Sequence, residues 1–396
     1  MKQKSIFLNL FLFFCFLASA QKVNITKIVA DEIVKTPLEK VIVFNEKDIS
    51  LTNTEGVFSF VSDIEILNFA LIGYEDLKLS FDEIKKKDTI FLKRKMIELD
   101  EVIIGNELSI LKKAFSNLKE NYSTNPYNEN FFLRCVLKRN DEISRLQDIY
   151  GKVSRKSFFK TKTQPDNKCE VEILNMRKIG ITEKSDLVYF KFQSFENLFD
   201  LNSLIQINVD EYELQQEKDI ASDYWKISFV QKEINSRKQK IKGHFIIKKT
   251  DYAFVQTCFD FYDNPEEVPY SKDGKVMYRT TSFRRISNYK RDDAFNKYYL
   301  SNANSVVRVE ILESEKNPKA YYDFTSDYFV TNSFISSKTA SNLSMDKDIF
   351  KVKFAYSDQF WANQNQLPLT NNLKEFLSRV SANKERKKEY DVIGNF

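Results

Sequence analysis

Between Val23 and Arg94 short apolar stretches recur with polar turns between them, at 23–29, 40–44, 57–61, 66–72, 77–81 and 89–92. Runs of this length and spacing predict a small β-sandwich. The polar segment Thr52-Asn53-Thr54-Glu55-Gly56 separates the second run from the third and ends in a glycine. A turn with a positive φ is expected at Gly56, with Phe58 and Phe60 beyond it packing on one face; Gly73-Tyr74 marks a further turn. The period then changes. Leu108, Leu111, Phe115, Leu118 and Tyr122 follow one another at spacings of 3, 4, 3 and 4, one face of an amphipathic helix that Pro126 ends.

From Val188 onward long alternating stretches return, at 188–192, 225–230, 241–248, 252–261, 276–287, 298–312 and 328–336. The stretches 241–247 and 253–256, joined through Thr250-Asp251, read as a hairpin, and antiparallel sheet is the natural assignment. Arg284-Arg285 and the stretch 301–305 interrupt the apolar face that an outer-membrane barrel needs on nearly every strand, so a soluble, strongly curved sheet is expected. Thr370 opens a closing helix with Leu373, Phe376, Leu377 and Val380 on one face, and a charged tail, 384–389, lies beyond it. The expected fold is therefore mainly β: a sandwich at 21–95, a linker at 96–107, and at 108–396 a helix, a curved antiparallel sheet and a C-terminal helix.

The first twenty residues carry an address. Lys2 and Lys4 precede an uncharged, nearly all-apolar run from Ile6 to Leu17, followed by Ala18-Ser19-Ala20, the order of a secretory signal peptide. The run is shorter than the roughly 20 residues of a spanning helix. Cys15 follows Leu12-Phe13-Phe14, without the small residues that lipoprotein processing requires. Residues 1–20 are expected to be removed, leaving a chain without a transmembrane helix in the periplasm or on the periplasmic face of the outer membrane.

Composition narrows the chemistry. Lys and Arg total 61 against 56 Asp and Glu, a surplus of five spread along the chain, which gives nucleic-acid binding no support. One histidine and 8 glycines exclude a multi-histidine metal centre and a glycine-rich phosphate cradle; no GxSxG, HExxH or P-loop pattern occurs. No catalytic residue, metal site or cofactor is expected. His244 is the sole imidazole a catalyst could use, and it sits on an alternating strand. Asp260, Asp263, Glu266 and Glu267 gather around Pro265 without EF-hand spacing. Cys135, Cys169 and Cys258 are either three buried small hydrophobes or one disulfide and a spare thiol. Phe360, Trp361 and Asn363, with Asn365 and Pro368 beyond, are the candidate binding residues: two aromatics beside amides suit a sugar or a peptide, although packing of Trp361 under the last helix competes with that role.

Thr36-Pro37-Leu38 with Val41 and Val43, then Thr52 to Phe58, Phe69 to Glu75 and Leu99 to Ile104 occur in an order that resembles the carboxypeptidase-regulatory-like domain of Bacteroidetes envelope proteins. The resemblance implies a seven-stranded Greek-key sandwich of transthyretin type. The usual first-strand glycine is missing, and another is replaced in the 48–50 region. The helix and Phe132-Leu133-Arg134 are similar to a segment that follows this domain, with Leu133 and Cys135 standing where the family has Tyr and Glu. The domain is an accessory module that carries no catalytic residues, and a chain with His244 alone cannot supply a zinc carboxypeptidase's ligands.

Two classes of function follow. One is a non-enzymatic envelope protein that binds an outer-membrane or periplasmic protein or a glycan; the other is a carrier holding an apolar, lipid-like ligand in the curved sheet. A hydrolase using scattered carboxylates is a distant third. The intact mass of the exported protein is expected to match a chain beginning at Gln21, and a mature pool retaining Met1 would overturn the signal assignment.

Overall fold

The seven strands of the N-terminal region are β1 (Val23–Asp31), β2 (Ile42–Phe44), β3 (Ile49–Leu51), β4 (Val57–Ser62), β5 (Ile66–Ala70), β6 (Leu77–Ser80) and β7 (Thr89–Leu92). The computed structural model describes residues 22–95, 107–159, 169–181, 193–201, 207–217, 223–232, 239–263, 268–273, 276–292, 295–312, 320–333, 339–382 and 389–396. The signal segment 1–20, linker residues 96–106, the stretch 188–192, Glu266 and Glu267, and residues 384–388 of the charged tail lie outside them.

The seven strands form two sheets, ordered β4-β1-β7 and β3-β2-β5-β6. Their inner faces meet at Phe58 and Phe69, whose rings stand edge to face at 5.6 Å. Gly56 has φ +72°, and a Cβ there would sit 2.5 Å from the Val29 carbonyl oxygen, so both conformation and space demand glycine. Asn53 Oδ1 accepts from the backbone N–H groups of Glu55 and Val57 and shapes the same turn.

Two details depart from the sequence reading. The strand drawn through Phe81 stops at Ser80, which caps α1 (Phe81–Lys85) by a reciprocal capping box with Glu83. The segment Trp361–Pro368, placed by the sequence in the C-terminal domain, belongs to this first unit. There Asn365 Oδ1 accepts from Val61 N–H at 2.7 Å. β4 is a sheet edge whose outward N–H groups need an acceptor, and a residue about three hundred positions away supplies one.

The second unit opens with α2 (Glu107–Ser116) and α3 (Leu118–Asn121). The sequence pattern reads as one helix, but the chain breaks at Asn117, whose N–H is shared between the carbonyls of Lys113 and Ala114. The apolar face continues across the break, because Leu111, Leu118 and Tyr122 all enter one core.

Twelve strands then build one antiparallel sheet among the described residues: β8 (Tyr127–Arg139), β9 (Glu142–Arg155), β10 (Glu170–Ile181), β11 (Tyr212–Glu217), β12 (Tyr224–Gln231), β13 (Gln239–Lys248), β14 (Phe254–Asp263), β15 (Ser271–Asp273), β16 (Val276–Asp292), β17 (Lys297–Leu312), β18 (Ala320–Ser333) and β19 (Tyr390–Ile393). The order is β11-β12-β13-β14-β16-β17-β18-β8-β9-β10-β19, with β15 flanking β16. The expected hairpin is β13–β14. One face curves round α2, α3 and α4 (Phe195–Leu201) to enclose a single aromatic-rich core. Phe115 packs on Phe245 and Phe254, and the Tyr122 hydroxyl donates to the Phe254 carbonyl at 2.6 Å. On the reverse face, Leu146 and Ile179 are covered by Leu373, Phe376 and Val380 of a helix at Asn371–Ala382.

Strands β8 to β10 are absent from the sequence reading for a physical reason. Both of their faces are buried, so inner and outer positions do not alternate between apolar and polar. Charged residues also occupy the interior. Arg134 grips Asp148 with Nε to Oδ1 and Nη2 to Oδ2, each at 2.8 Å, and Arg177 Nη2 reaches Oδ2 at 2.7 Å. Burial pushes the Asp148 carboxyl upward, but the two guanidinium groups outweigh it and hold the group below the usual carboxylate range. Its ionised form therefore contributes stability above about pH 4, the ordinary aspartate value, and that contribution is lost as the pH falls below it. Asp148→Asn is expected to lower stability by about 3–5 kcal/mol by removing the buried carboxylate charge that two guanidinium groups share, measured by urea unfolding at neutral pH.

Candidate binding site in the curved sheet

The residues singled out from the sequence fall in different places. Trp361 is 3% exposed and lies in the first unit. Asn363 is exposed in the same unit, and its backbone carbonyl accepts from Lys22 Nζ at 3.5 Å. Phe360 belongs to the second unit, where its ring meets Tyr150 edge to face at 5.3 Å. Trp361 offers no open aromatic face for stacking, and packing accounts for it.

The candidates for chemistry are held in structural roles. His244 Nε2 lies 3.0 Å from Gln256 Oε1, while Gln256 Nε2 donates to Asn288 Oδ1 at 2.8 Å. That direction makes the Gln256 oxygen an acceptor and places the imidazole proton on Nε2. Burial, aided by Lys226, lowers the His244 pKa. Cys135, Cys169 and Cys258 are buried and not joined in a disulfide, and burial pushes Cys135 and Cys258 away from the reactive thiolate. Asp260 faces Arg284 at 3.8 Å; among the described residues no group of acidic, cysteine or histidine side chains could hold a metal ion.

The concave face holds a constellation that sequence reasoning missed. Arg155 Nε donates to Glu129 Oε2 at 3.2 Å, and the Tyr328 hydroxyl donates to the same oxygen at 3.1 Å. The Arg155 guanidinium lies 5.0 Å over the Phe199 ring. Burial alone would lower its pKa, but Glu129 outweighs it and fixes the positive charge. Glu129 Oε1 has no hydrogen-bond partner among the described residues.

Arg285 enters the same interior from β16. It is 2% exposed; its Nε donates to Ser287 Oγ at 3.1 Å, and neither Nη atom has a partner among the described residues. Burial drives its pKa down to about 9, and the charge of Arg155 adds to the effect. The sheet register places Arg285 beside Ser305, then Ser326, Cys135 and Gln147 on successive strands. This line of small and polar groups is bordered by Phe259 and Tyr289. The sequence signal was visible: Phe283, Arg285, Ser287 and Tyr289 alternate in phase, which puts the arginine on the inward face. It reads there as a break in an apolar face, because a single strand does not reveal what covers it.

No protein-family model and no curated protein matches the chain in sequence. Solved structures similar over part of it include the following. A domain described as an outer membrane lipoprotein-sorting protein, from Vibrio parahaemolyticus, is 10% identical over 60% of this chain and 94% of its own, with a TM-score of 0.27. Lipovitellin is 8% identical over 57% of this chain and 27% of its own, at 0.24. The MucA/MucB complex of Pseudomonas aeruginosa is 9% identical over 57% and 94%, at 0.16. Superpositions of this quality decide neither fold nor ligand. Trp361→Ala is expected to cost about 3–5 kcal/mol, as loss of a fully buried large ring does, seen as a lowered urea midpoint.

Proposed function

We propose that this is an exported, non-catalytic binding protein of the cell envelope whose curved sheet carries an apolar, lipid-like ligand with an anionic head. The observation that carries the reading is Arg285, a buried guanidinium with both Nη atoms unpartnered among the described residues, beside Arg155 in an aromatic interior. Glu129 is already engaged by Arg155 and Tyr328, so it leaves the second positive charge unmatched. An uncompensated buried cation costs several kcal/mol, and a ligand's carboxylate or phosphate would remove that cost while meeting the free guanidinium edge in a bidentate fashion. Among the two readings of the sequence, this favours the carrier over a module that binds only at its surface. The signal-like first twenty residues and the resemblance to an envelope accessory domain support the location. The engagement of His244 by Gln256 and the burial of the thiols support a role without catalysis.

The protein, purified from an exporting host without detergent, is extracted with organic solvent and the extract is analysed by mass spectrometry. The wild type is expected to yield an anionic amphiphile at about one per chain, and Arg285→Met at least tenfold less. An extract free of anionic amphiphile, together with an Arg285→Met variant more stable than the wild type, would show the arginine to be only a strained part of the core. Turnover of peptide, ester or glycan substrates that vanished in His244→Gln would overturn the non-enzyme reading.

A further inference from the structure

The interior around Arg285 has a floor that the sheet register defines. Arg285 Nε donates to Ser287 Oγ, which draws the guanidinium along β16 to the next inward position. Ser287 pairs with Ala303 on β17, and Ala303 pairs with Tyr328 on β18, so the three side chains stand side by side on the concave face. The Tyr328 hydroxyl donates to Glu129 and accepts from Arg155. Two strand spacings, about 10 Å, separate Ser287 from Tyr328, and the side chain between them is a methyl group. Ser305, the neighbouring inward position on β17, is also small, and its Oγ lies 2.6 Å from Ser326 Oγ. Tyr289 and Phe259 border this floor.

The groups around the floor set the charge that a ligand can bring. Arg155 and Glu129 form one buried, neutral pair. Burial holds the phenols of Tyr289 and Tyr328 above their ordinary pKa, so both are uncharged. Arg285 is left over, its Nε taken by Ser287 and both Nη atoms without a hydrogen-bond partner among the described residues. The balance of these groups is one positive charge. Arg285, Arg155, Tyr328 and Ala303 are each at most 5% exposed, so bulk water does little to screen a mismatch.

Resting on the carrier reading above, we infer that the ligand is a long-chain monocarboxylic acid whose head is held by the Nη edge of Arg285 above Ala303. A carboxylate supplies one charge and two oxygens side by side, which match one guanidinium edge in a bidentate fashion. A phosphate monoester would bring a second negative charge that none of these groups offsets, and an unpaired buried charge is strongly penalised. A phospholipid diester carries one charge but also a polar alcohol beyond it, whereas a fatty acid ends at its carboxylate. An enclosed site favours the head with fewer polar atoms to satisfy. Ala303 projects least of the three side chains that span the floor, which is where a head between the two guanidinium groups sits. The aromatic side chains of the same core suit the alkyl chain.

The test is titration calorimetry on the mature, delipidated protein at pH 8.5 with three single-chain probes of equal length: laurate, dodecyl phosphate, which is a dianion at that pH, and lauroyl lysophosphatidylglycerol, a singly charged diester. Saturable one-to-one binding of laurate is expected, with both phosphorus heads at least tenfold weaker. Arg285→Met is expected to weaken laurate at least tenfold, and so is Ala303→Val, which leaves every charge in place and adds two methyl groups to the floor. Either phosphorus head binding as tightly as laurate would overturn the carboxylate assignment and leave the carrier reading standing. Laurate binding that Arg285→Met weakens and Ala303→Val does not would overturn the placement above Ala303. Failure of all three probes to bind would overturn the carrier reading itself, and this inference with it. The probe series needs only the wild type, so it decides the head chemistry whether or not Ala303→Val folds.

Discussion

The cost of taking charge out of water governs the second unit more than any other single constraint. β8, β9 and β10 are covered on both faces, by the aromatic core on one side and by the helix at Asn371–Ala382 on the other. A strand in that position is ordinarily a continuous apolar run. Here Asp148 is fully buried, and the arrangement survives because Arg134 and Arg177 approach it from both neighbouring strands along the register. Three residues from three strands thus fix the relative register at the centre of the sheet. Slippage by one residue would strand each charge in hydrocarbon.

The same constraint separates matched from unmatched charge. Arg134 and Arg177 share a carboxylate that both can reach with good geometry, and Arg155 has Glu129 and the Tyr328 hydroxyl. Arg285 has one serine hydroxyl for its Nε and nothing further for its Nη atoms among the described residues. Replacing such a group by a hydrophobic side chain of similar volume commonly leaves a protein as stable or makes it more so. On the proposed reading, such an arginine is offset by the anionic group it meets when the interior is occupied.

Much of the fold was legible in the sequence because its signals are local. Gly56, the apolar runs of the sandwich, the β13–β14 hairpin and the closing helix each depend on residues within a few positions of one another. What escaped depends on distant partners. Asn365 satisfies an edge strand from the far end of the chain, and Asp148 is tolerable only beside Arg177, 29 residues on. Read along the sequence, Asp148 argues against a buried strand; read in the sheet, it is what the strand is built around. The break at Asn117 escaped for the converse reason, since a helix can be interrupted without its apolar face losing phase.

The candidate sites follow the same rule. An aromatic beside amides is a conspicuous pattern, yet Trp361 is drawn into packing because a large apolar ring gains most when fully removed from water. Arg155 and Arg285 carry no motif; they meet only when strand pairing brings β9 and β16 into one sheet. What a linear reading hides is an imbalance, a positive charge or an unused hydrogen-bonding atom that the fold assembles and does not itself satisfy. That imbalance belongs to the tertiary structure. It is why the composition, nearly balanced at 61 basic against 56 acidic residues, gave no hint of two guanidinium groups sharing one buried interior.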